Sequence, residues 1–592
     1  MQRTRLRDLP YLPKWIILSI IIGVVVGLTI SLFFFTVSSV LGSVFGKIIG
    51  LSIPNSYSEG GTISYHYTPD AKIWLIPIIA AIGGLIVGLI RHSFEPDEGY
   101  GGTGSAISAF HNDNGEIKKR STVIRFIASV ITIGTGGSAG NEGPSSAIGA
   151  GIGSSIGEFL GLNAEERRTA LVIGIGAGLG AVFKAPFGGA IFGTEVLYKN
   201  DFEANAILPS FIATAISYTI FCSFFGFAPI LGRYSGVINL TTLIFFGILG
   251  LLTGLYAVMY YKSSHYISDK FRKLKIRRFL KPALGGLIAG LIFIMFPETI
   301  AIGYGWLQIF VNQQLNLIPT FGLPLLMVLF MLPLAKILAT GLTLGSGGSG
   351  GEFAPGIFIG GSLGALFGTS MHIMFPVLVP SITPFVIIGM LSLFGAAGKT
   401  PIAVMIMVIE MTGSLTLLAA AMIATFIAYF ISGSGSLYKS QVENREVSPA
   451  HEIEHLKPLL KDAMRYSISE SLIIKDGLDV NATTDQGIDF MKKYKLNSIP
   501  VTSTGKFVGV LSYKKVNGSI RKSIMKNMTP IRQTSNIDNL MSSMHKNNSR
   551  WMPIVEENGK YVGFVKLSDV IAKYKVQIND LGNDVIDLDW VS

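Results

Sequence analysis

The chain has 592 residues, of which 49% are hydrophobic and only 14% charged, with 69 glycines, a balance that excludes an ordinary soluble domain and points to a membrane protein. Lys and Arg outnumber Asp and Glu by 48 to 37. In a membrane protein that excess marks loops facing anionic lipid rather than nucleic-acid binding, and no nucleic-acid motif accompanies it. A single cysteine, Cys222, excludes a disulfide framework within the chain and a cysteine-based metal site.

Arg3, Arg5, Arg7 and Lys14 precede the apolar stretch Trp15 to Val40, which is too long for a cleavable leader and predicts a retained first helix with a cytoplasmic N-terminus, residues 1–14. Further stretches suited to roughly 30 Å of hydrocarbon follow at 73–90, 123–135, 170–196, 206–225, 243–261, 282–296, 324–342, 357–375, 385–393 and 402–431. Several are short, long, or interrupted by Gly and Pro. That pattern predicts tilted and discontinuous helices, tolerated where freed backbone groups are buried in protein or line a cavity.

The sequence repeats itself. Gly136, Gly137, Ser138, Gly140, Pro144, Ile148, Gly149, Gly153 and Gly157 recur 211 residues later as Gly347, Gly348, Ser349, Gly351, Pro355, Ile359, Gly360, Gly364 and Gly368. Lys184, Pro186 and Glu195 recur 215 residues later as Lys399, Pro401 and Glu410. Residues 15–440 therefore divide into two homologous halves, about 15–230 and 235–440, an arrangement that commonly places a substrate site at the interface near the midplane.

Past Tyr438 the composition turns charged and mixed. After a linker, 441–460, residues 461–592 predict a soluble α/β module in two copies. The strands Ser498-Ile-Pro-Val and Phe507-Val-Gly-Val-Leu are preceded by an amphipathic segment, Thr484 to Tyr494. The same order returns as Ile537 to Lys546, Trp551-Met-Pro-Ile-Val, Tyr561-Val-Gly-Phe-Val and a helix from Leu567 to Tyr574.

Glycine-rich runs that open apolar helices let backbone N–H groups approach an ion, while the helix N-terminus adds partial positive charge. Such a site suits an anion and holds it weakly enough for transit. Tight helix packing through small residues is the bland reading of each run alone; two matched copies, each with an irregular lead-in and a proline near the helix start, favour an ion site.

On these residues the chain resembles the CLC chloride channels and transporters. Gly140-Asn-Glu-Gly-Pro144 is similar to their GREGP signature, Gly351-Glu-Phe-Ala-Pro355 to their GxFxP segment, and Tyr438 stands where the family has its pore tyrosine. Gly102-Thr-Gly-Ser-Ala106 falls where the family has GSGIP, with Thr103 for Ser and Ala106 for Pro. The resemblance implies an all-α polytopic membrane domain built as an inverted repeat, a homodimer with one path per subunit, chloride as substrate and no required cofactor. It implies that Glu142 is the gating glutamate, its carboxylate competing with the anion, and that Thr103, Gly104, Gly143, Glu352, Phe353 and Tyr438 surround the anion. A carboxylate at a helix N-terminus also has a plain charge–dipole reading, but an ionisable group within the membrane is a functional candidate by default. The Glu352 side chain stands where many relatives are aliphatic, and its role is left open.

The family contains passive channels and chloride/proton exchangers, and exchangers typically carry a second, cytoplasmic glutamate. Val196 occupies that position here, which favours a passive channel. The neighbouring Glu195 keeps a proton pathway as the alternative, while Glu195 and Glu410 have a structural reading as well. Lys184 and Lys399 either draw anions to the vestibules or snorkel to an interface. The tail resembles a CBS pair, which implies a cytosolic regulatory module and a possible adenine nucleotide (ATP, ADP or AMP). Each copy keeps half of the usual Gly-h-h-Ser/Thr-x-x-Asp motif, Ser512 in one and Asp569 in the other, so both are candidate nucleotide ligands beside a purely structural role. The eight histidines are scattered, with His111 and His265 expected in loops and no H-E-x-x-H motif, so an enzyme is not expected. A sensor that uses the membrane part only as an anchor is the remaining rival.

Overall fold

A computed structural model describes residues 10–55, 66–68, 71–95, 102–231, 234, 236, 242–451, 466–512, 520–524, 528–547 and 549–579. Arg3, Arg5 and Arg7 and residues 452–460 of the linker lie outside the described residues. The chain forms two compact units, one of residues 1–160 and 167–445, the other of 161–166 and 446–592.

Among the described residues the first unit holds sixteen α-helices, which fall into two sets of eight in the same order, and a two-stranded antiparallel sheet of β1 (Leu51–Ser52) and β2 (His66–Tyr67). The first set is α1 (Tyr11–Leu41), α2 (Leu75–Phe94), α3 (Thr103–Asn112), α4 (Lys119–Gly134), α5 (Glu142–Phe159), α6 (Ala164–Val182), α7 (Pro186–Glu195) and α8 (Ala204–Phe225). The second is α9 (Leu243–Lys273), α10 (Lys281–Met295), α11 (Tyr304–Val311), α12 (Leu325–Gly345), α13 (Phe353–Met374), α14 (Thr383–Gly398), α15 (Pro401–Thr412) and α16 (Leu418–Ile431). Seven of the described helices are long and apolar enough to cross a membrane, so the chain is a multi-pass membrane protein.

Packing repeats along with sequence: α1 lies on α8 as α9 lies on α16, while α2 meets α10 and α7 meets α15 across the two halves. Glycines set how closely helices approach. A Cβ at Gly149 would stand 2.0 Å from the Gly174 carbonyl oxygen, and at the matched crossing of α13 and α14 a Cβ at Gly360 would stand 2.2 Å from that of Gly389. Only glycine allows backbones so near.

Two expected spans prove to be broken. The stretch 170–196 is α6 and α7, and 402–431 is α15 and α16. Lys184 and Lys399, with left-handed φ of 51° and 55°, end α6 and α14, and Pro186 and Pro401 open the next helices, where a proline sacrifices no intrahelical bond. Gly413, at φ 58°, separates α15 from α16. The apolar runs of the short helices α3 and α11 are too brief to announce a span. His111 and His265 are in helices rather than loops: His111 closes α3, buried, with its Nε2 2.9 Å from the Leu197 carbonyl oxygen, and His265 lies within α9, with its Nε2 2.8 Å from that of Ser436.

The second unit carries two three-stranded sheets of identical design. In one, β3 (Leu478–Asp479) runs parallel to β4 (Ser498–Ser503), which pairs antiparallel with β5 (Lys506–Ser512); in the other, β6 (Ile531–Arg532), β7 (Trp551–Val555) and β8 (Tyr561–Lys566) repeat the pattern. Helices α17 (Thr484–Tyr494) and α19 (Ile537–Asn547) precede the hairpins, as their amphipathic periodicity predicts, and α18 (Ile520–Ser523) and α20 (Leu567–Asn579) follow them. Val510, Trp551 and Phe564 form a shared core between the copies, with Trp551 Nε1 donating to Ser498 Oγ at 3.1 Å. Residues 466–474 serve the second copy: Ile474 bridges Phe564, and Ile468, Leu472 and Ile473 enter its core.

Candidate anion pathway

At the centre of the first unit, the two glycine-rich loops clasp each other. Gly140 N donates to Gly351 O at 2.8 Å and Gly351 N to Gly140 O at 2.9 Å. Two further pairs of contacts around this bridge are related by the same 211 residues. Ser138 N donates to Thr343 Oγ1 at 3.2 Å and Ser349 N to Thr132 Oγ1 at 3.1 Å; Ser138 Oγ meets Thr340 Oγ1 at 2.9 Å and Ser349 Oγ meets Ser129 Oγ at 2.8 Å. Reciprocal pairs of this kind are what a two-fold relation between the halves produces, and they satisfy backbone groups that lipid could not.

The clasp brings the N-termini of α3, α5, α11 and α13 to one region. Glu142, the first residue of α5, is fully buried. Its Oε1 accepts a hydrogen bond from Tyr304 Oη at the start of α11, and its Oε2 has no hydrogen-bond partner. The carboxylate folds back over Gly140, where a Cβ would meet Oε2, and the Ala354 backbone N–H at the start of α13 lies beside it. Lys336 on α12, buried, donates to Thr299 O at 3.0 Å and Ala301 O at 2.8 Å and is near enough to attract the carboxylate. Thus Glu142 stands where two helix dipoles, a phenol and a buried ammonium converge, a field that favours negative charge.

Below Glu142 lie the other residues expected around the anion. Thr103, buried, opens α3 behind Gly102, whose φ is 87°, and its hydroxyl meets that of Tyr438. A Cβ at Gly104 would come 4.0 Å from the Tyr438 ring. Gly143 faces Gly351: a Cβ there would lie 2.5 Å from the Gly351 Cα. Phe353 is buried in an aromatic cluster, its ring centroid 3.9 Å from that of Phe394 and 4.5 Å from that of Phe183. Glu352 caps α13 with its backbone but not with its side chain; its carboxylate Oε1 accepts from Ser264 Oγ at 2.8 Å, and its carbonyl accepts from Tyr260 Oη at 2.8 Å.

The residues near the position of the second glutamate are engaged elsewhere. Val196 is fully buried at the end of α7, and its carbonyl accepts from Gln441 Nε2 at 2.9 Å. Glu195 caps the opposite half: its carboxylate accepts from Ile402 N at 3.1 Å and Ala403 N at 2.7 Å at the start of α15. Glu410 returns the same favour to α7, accepting from Phe187 N at 3.0 Å and Gly188 N at 2.8 Å. Lys184 and Lys399 are held by backbone and hydroxyl oxygens, which corrects the snorkelling expected of them. Lys184 Nζ donates to Phe225 O, the last carbonyl of α8, at 2.9 Å; Lys399 Nζ donates to Ser432 Oγ at 2.7 Å and to Gly433 O beyond α16. Each is buried and neutralises a helix C-terminus rather than snorkelling.

Tyr304 and Lys336 escaped the sequence reading, though the first had left a signal. Gly102-Thr103-Gly104 recurs as Gly303-Tyr304-Gly305, with positive φ at Gly102 (87°) and Gly303 (90°). The matched hydroxyls open α3 and α11 and face opposite partners, Tyr438 and Glu142. Lys336 lies mid-helix in an apolar run and carries no such mark. In the tail, Ser512 ends β5 opposite Ser498, and Asp569 lies in the first turn of α20, 3.7 Å from Lys566 Nζ. Among the described residues no group of three or more His, Cys, Asp or Glu is arranged to hold a metal ion.

The voltage gated chloride channel family matches residues 83–433, and the CBS domain family matches residues 518–575. The H(+)/Cl(-) exchange transporter ClcA of Salmonella paratyphi A is 30% identical over 378 residues, 60% of this chain and 76% of that one. A chloride/fluoride channel protein of Pseudomonas syringae pv. tomato is 26% identical over 388 residues, 62% of this chain and 78% of the other. The crystal structure of a eukaryotic CLC transporter superposes with a TM-score of 0.60 at 16% identity, covering 93% of this chain and 98% of its own, a likeness of fold.

Proposed function

Because this chain belongs to the voltage-gated chloride channel (CLC) family of anion transport proteins, we propose that it passes chloride through a passive pathway gated by Glu142 and regulated by its CBS pair. The observation that carries the passive reading is the state of the position where exchangers keep their second glutamate. Val196 has no proton to give, and Glu195 beside it is committed to two backbone amides at the start of α15. Thr103 and Tyr438 hydroxyls and the Phe353 amide are the proposed donors to the anion, with Gly104 and Gly143 admitting it close to backbone; Glu142 competes for the same helix N-termini and withdraws on protonation. The test is anion efflux from liposomes at varied external pH. Wild-type flux rises as external pH falls, and Glu142→Ala makes it high and flat; an unaltered pH response in Glu142→Ala removes Glu142 from the role of gate.

Coupled chloride/proton exchange is the second reading, supported by the exchange activity in the name of the Salmonella relative and by a second carboxylate, Glu352, beside the path. In the same proposal the protein is a homodimer, which crosslinking in native membranes checks, with its N-terminus and tail cytoplasmic. Ser512 and Asp569 are the proposed contacts for an adenine nucleotide at the tail; calorimetric titration with ATP, ADP and AMP tests this, and Asp569→Ala is expected to abolish the heat.

A further inference from the structure

The carboxylate of Glu352 is unused by the gate just described, and its surroundings are unlike those of the other buried acids. Across residues 349–365 Glu352 is the only position that is not buried. It sits at the N-cap of α13 yet leaves its own helix uncapped, turning to Ser264 on α9. Its carboxylate lies near the phenols of Tyr438 and Tyr260. Glu142 and Glu352 therefore flank the Thr103–Tyr438 pair from the start of α5 and of α13, across the Gly140–Gly351 bridge.

The fold does not require charge here. Under the 211-residue repeat the mate of Glu352 is Asn141, a neutral amide, buried, with an Oδ1 that has no hydrogen-bond partner. The side to which Glu352 opens is also legible. Past Ser264, α9 ends in Lys270, Arg272 and Lys273; His265 binds the Ser436 carbonyl, and Asp269 pairs with Lys439 at 3.4 Å. This is the face by which the chain leaves the membrane unit toward the tail, and its basic residues mark it as cytoplasmic.

We propose that Glu352 is a second carboxylate gate on the anion path, opening to the tail side, so that anions pass freely when it carries a proton and are repelled when it is ionised. The inference rests on the passive reading above. Tyr260 and Ser264 of α9 and Tyr438, which follows α16, are the groups that meet Glu352, and Thr103 of α3 meets Tyr438 in turn. Glu142 of α5 and His265 of α9 are titratable groups of the same region, and each needs its own control. Two like-charged gates on opposite sides make the path a coincidence device: each side's acidity releases one of them.

The test is current across planar bilayers holding the purified full-length protein in symmetric chloride, with pH varied on one side at a time and the tail side identified by an antibody to a C-terminal epitope. Wild-type current is expected to rise on tail-side acidification, approaching tenfold per pH unit on the alkaline limb, the limit for one proton. Glu352→Gln is expected to hold that current high and flat on the tail side, Ser264→Ala to move the midpoint to higher pH because the ionised form loses a donor, and His265→Gln to leave the response in place. Glu142→Gln is expected to abolish only the response to the opposite side. A tail-side response that survives in Glu352→Gln, or is missing in wild type, overturns the proposal. If chloride drives protons uphill in wild type, the passive reading fails; the gate then stands if Glu352→Gln still flattens the tail-side response, and falls if that variant keeps chloride current while losing proton movement, which makes Glu352 a relay.

Discussion

Replacing Glu195 distinguishes a helix cap from a proton carrier. Its carboxylate takes two backbone N–H groups, at 3.1 and 2.7 Å, from a helix whose first residue, Pro401, has no N–H to offer. A hydrogen bond to a charged group contributes about 1.5–3 kcal/mol, so Glu195→Ala, which strands both donors in an apolar setting, costs on the order of 3–6 kcal/mol. Glu195→Gln keeps one oxygen as acceptor and loses charge, at about 1–2 kcal/mol, part of it the interaction with the α15 dipole. The assay is thermal unfolding in detergent alongside chloride flux of the protein that survives reconstitution. The alanine variant is expected to melt several degrees lower, the glutamine variant by a smaller step, and Glu410→Ala to match Glu195→Ala because it caps α7 in the same way. Unchanged melting of Glu195→Gln combined with altered proton or chloride movement would refute the reasoning.

Tyr304→Phe removes the phenol that holds Glu142 and frees the gate by about 1.5–3 kcal/mol, so chloride flux at neutral pH is expected to rise about tenfold to hundredfold; flux that stays level or falls contradicts it. Gly351→Ala sets a Cβ 2.5 Å from the Gly143 backbone nitrogen, at a cost of about 3 kcal/mol or more for so rigid a clasp, and is expected to give no monodisperse protein on size exclusion, whereas Gly46→Ala, which meets nothing within 4 Å, changes yield far less. In the tail, the Tyr494 hydroxyl and the Lys493 ammonium hold the Asp476 carboxyl below its usual range. A depressed carboxyl stabilises the fold above its unfolded pKa of about 3.9 and ceases to as pH falls through the folded value. The pair is exposed, so Asp476→Asn is expected to lower the tail's stability by at most about 1 kcal/mol at neutral pH and by nothing at about pH 2, in urea titrations of the full chain.

Much of the architecture is written in the repeats. Gly136 to Gly157 and Gly347 to Gly368 announce that the clasp has two sides, and Pro186 and Pro401 announce the helix starts that the paired glutamates cap. The same repeat explains what was missed. The short helices α3 and α11 are positioned by a glycine with positive φ and by burial, and their apolar runs are too brief for a span, so hydropathy passes over them; only the echo of Gly102-Thr-Gly in Gly303-Tyr-Gly betrays Tyr304. Lys184 and Lys399 look like snorkelling charges in sequence because one-dimensional reading does not show that the C-termini of α8 and α16 end against them. In the tail the alternation of apolar residues and the amphipathic Thr484–Tyr494 and Ile537–Asn547 give the strands and helices directly, while the contribution of residues 466–474 to the second copy rests on long-range pairing that periodicity does not encode.

The most direct test of the passive pathway is simultaneous recording of chloride and internal pH in liposomes that hold the wild-type protein under an outward chloride gradient. Chloride efflux with no proton movement against its own gradient is the predicted result. Protons driven uphill by chloride would contradict the account and make the protein an exchanger that works without a glutamate at position 196.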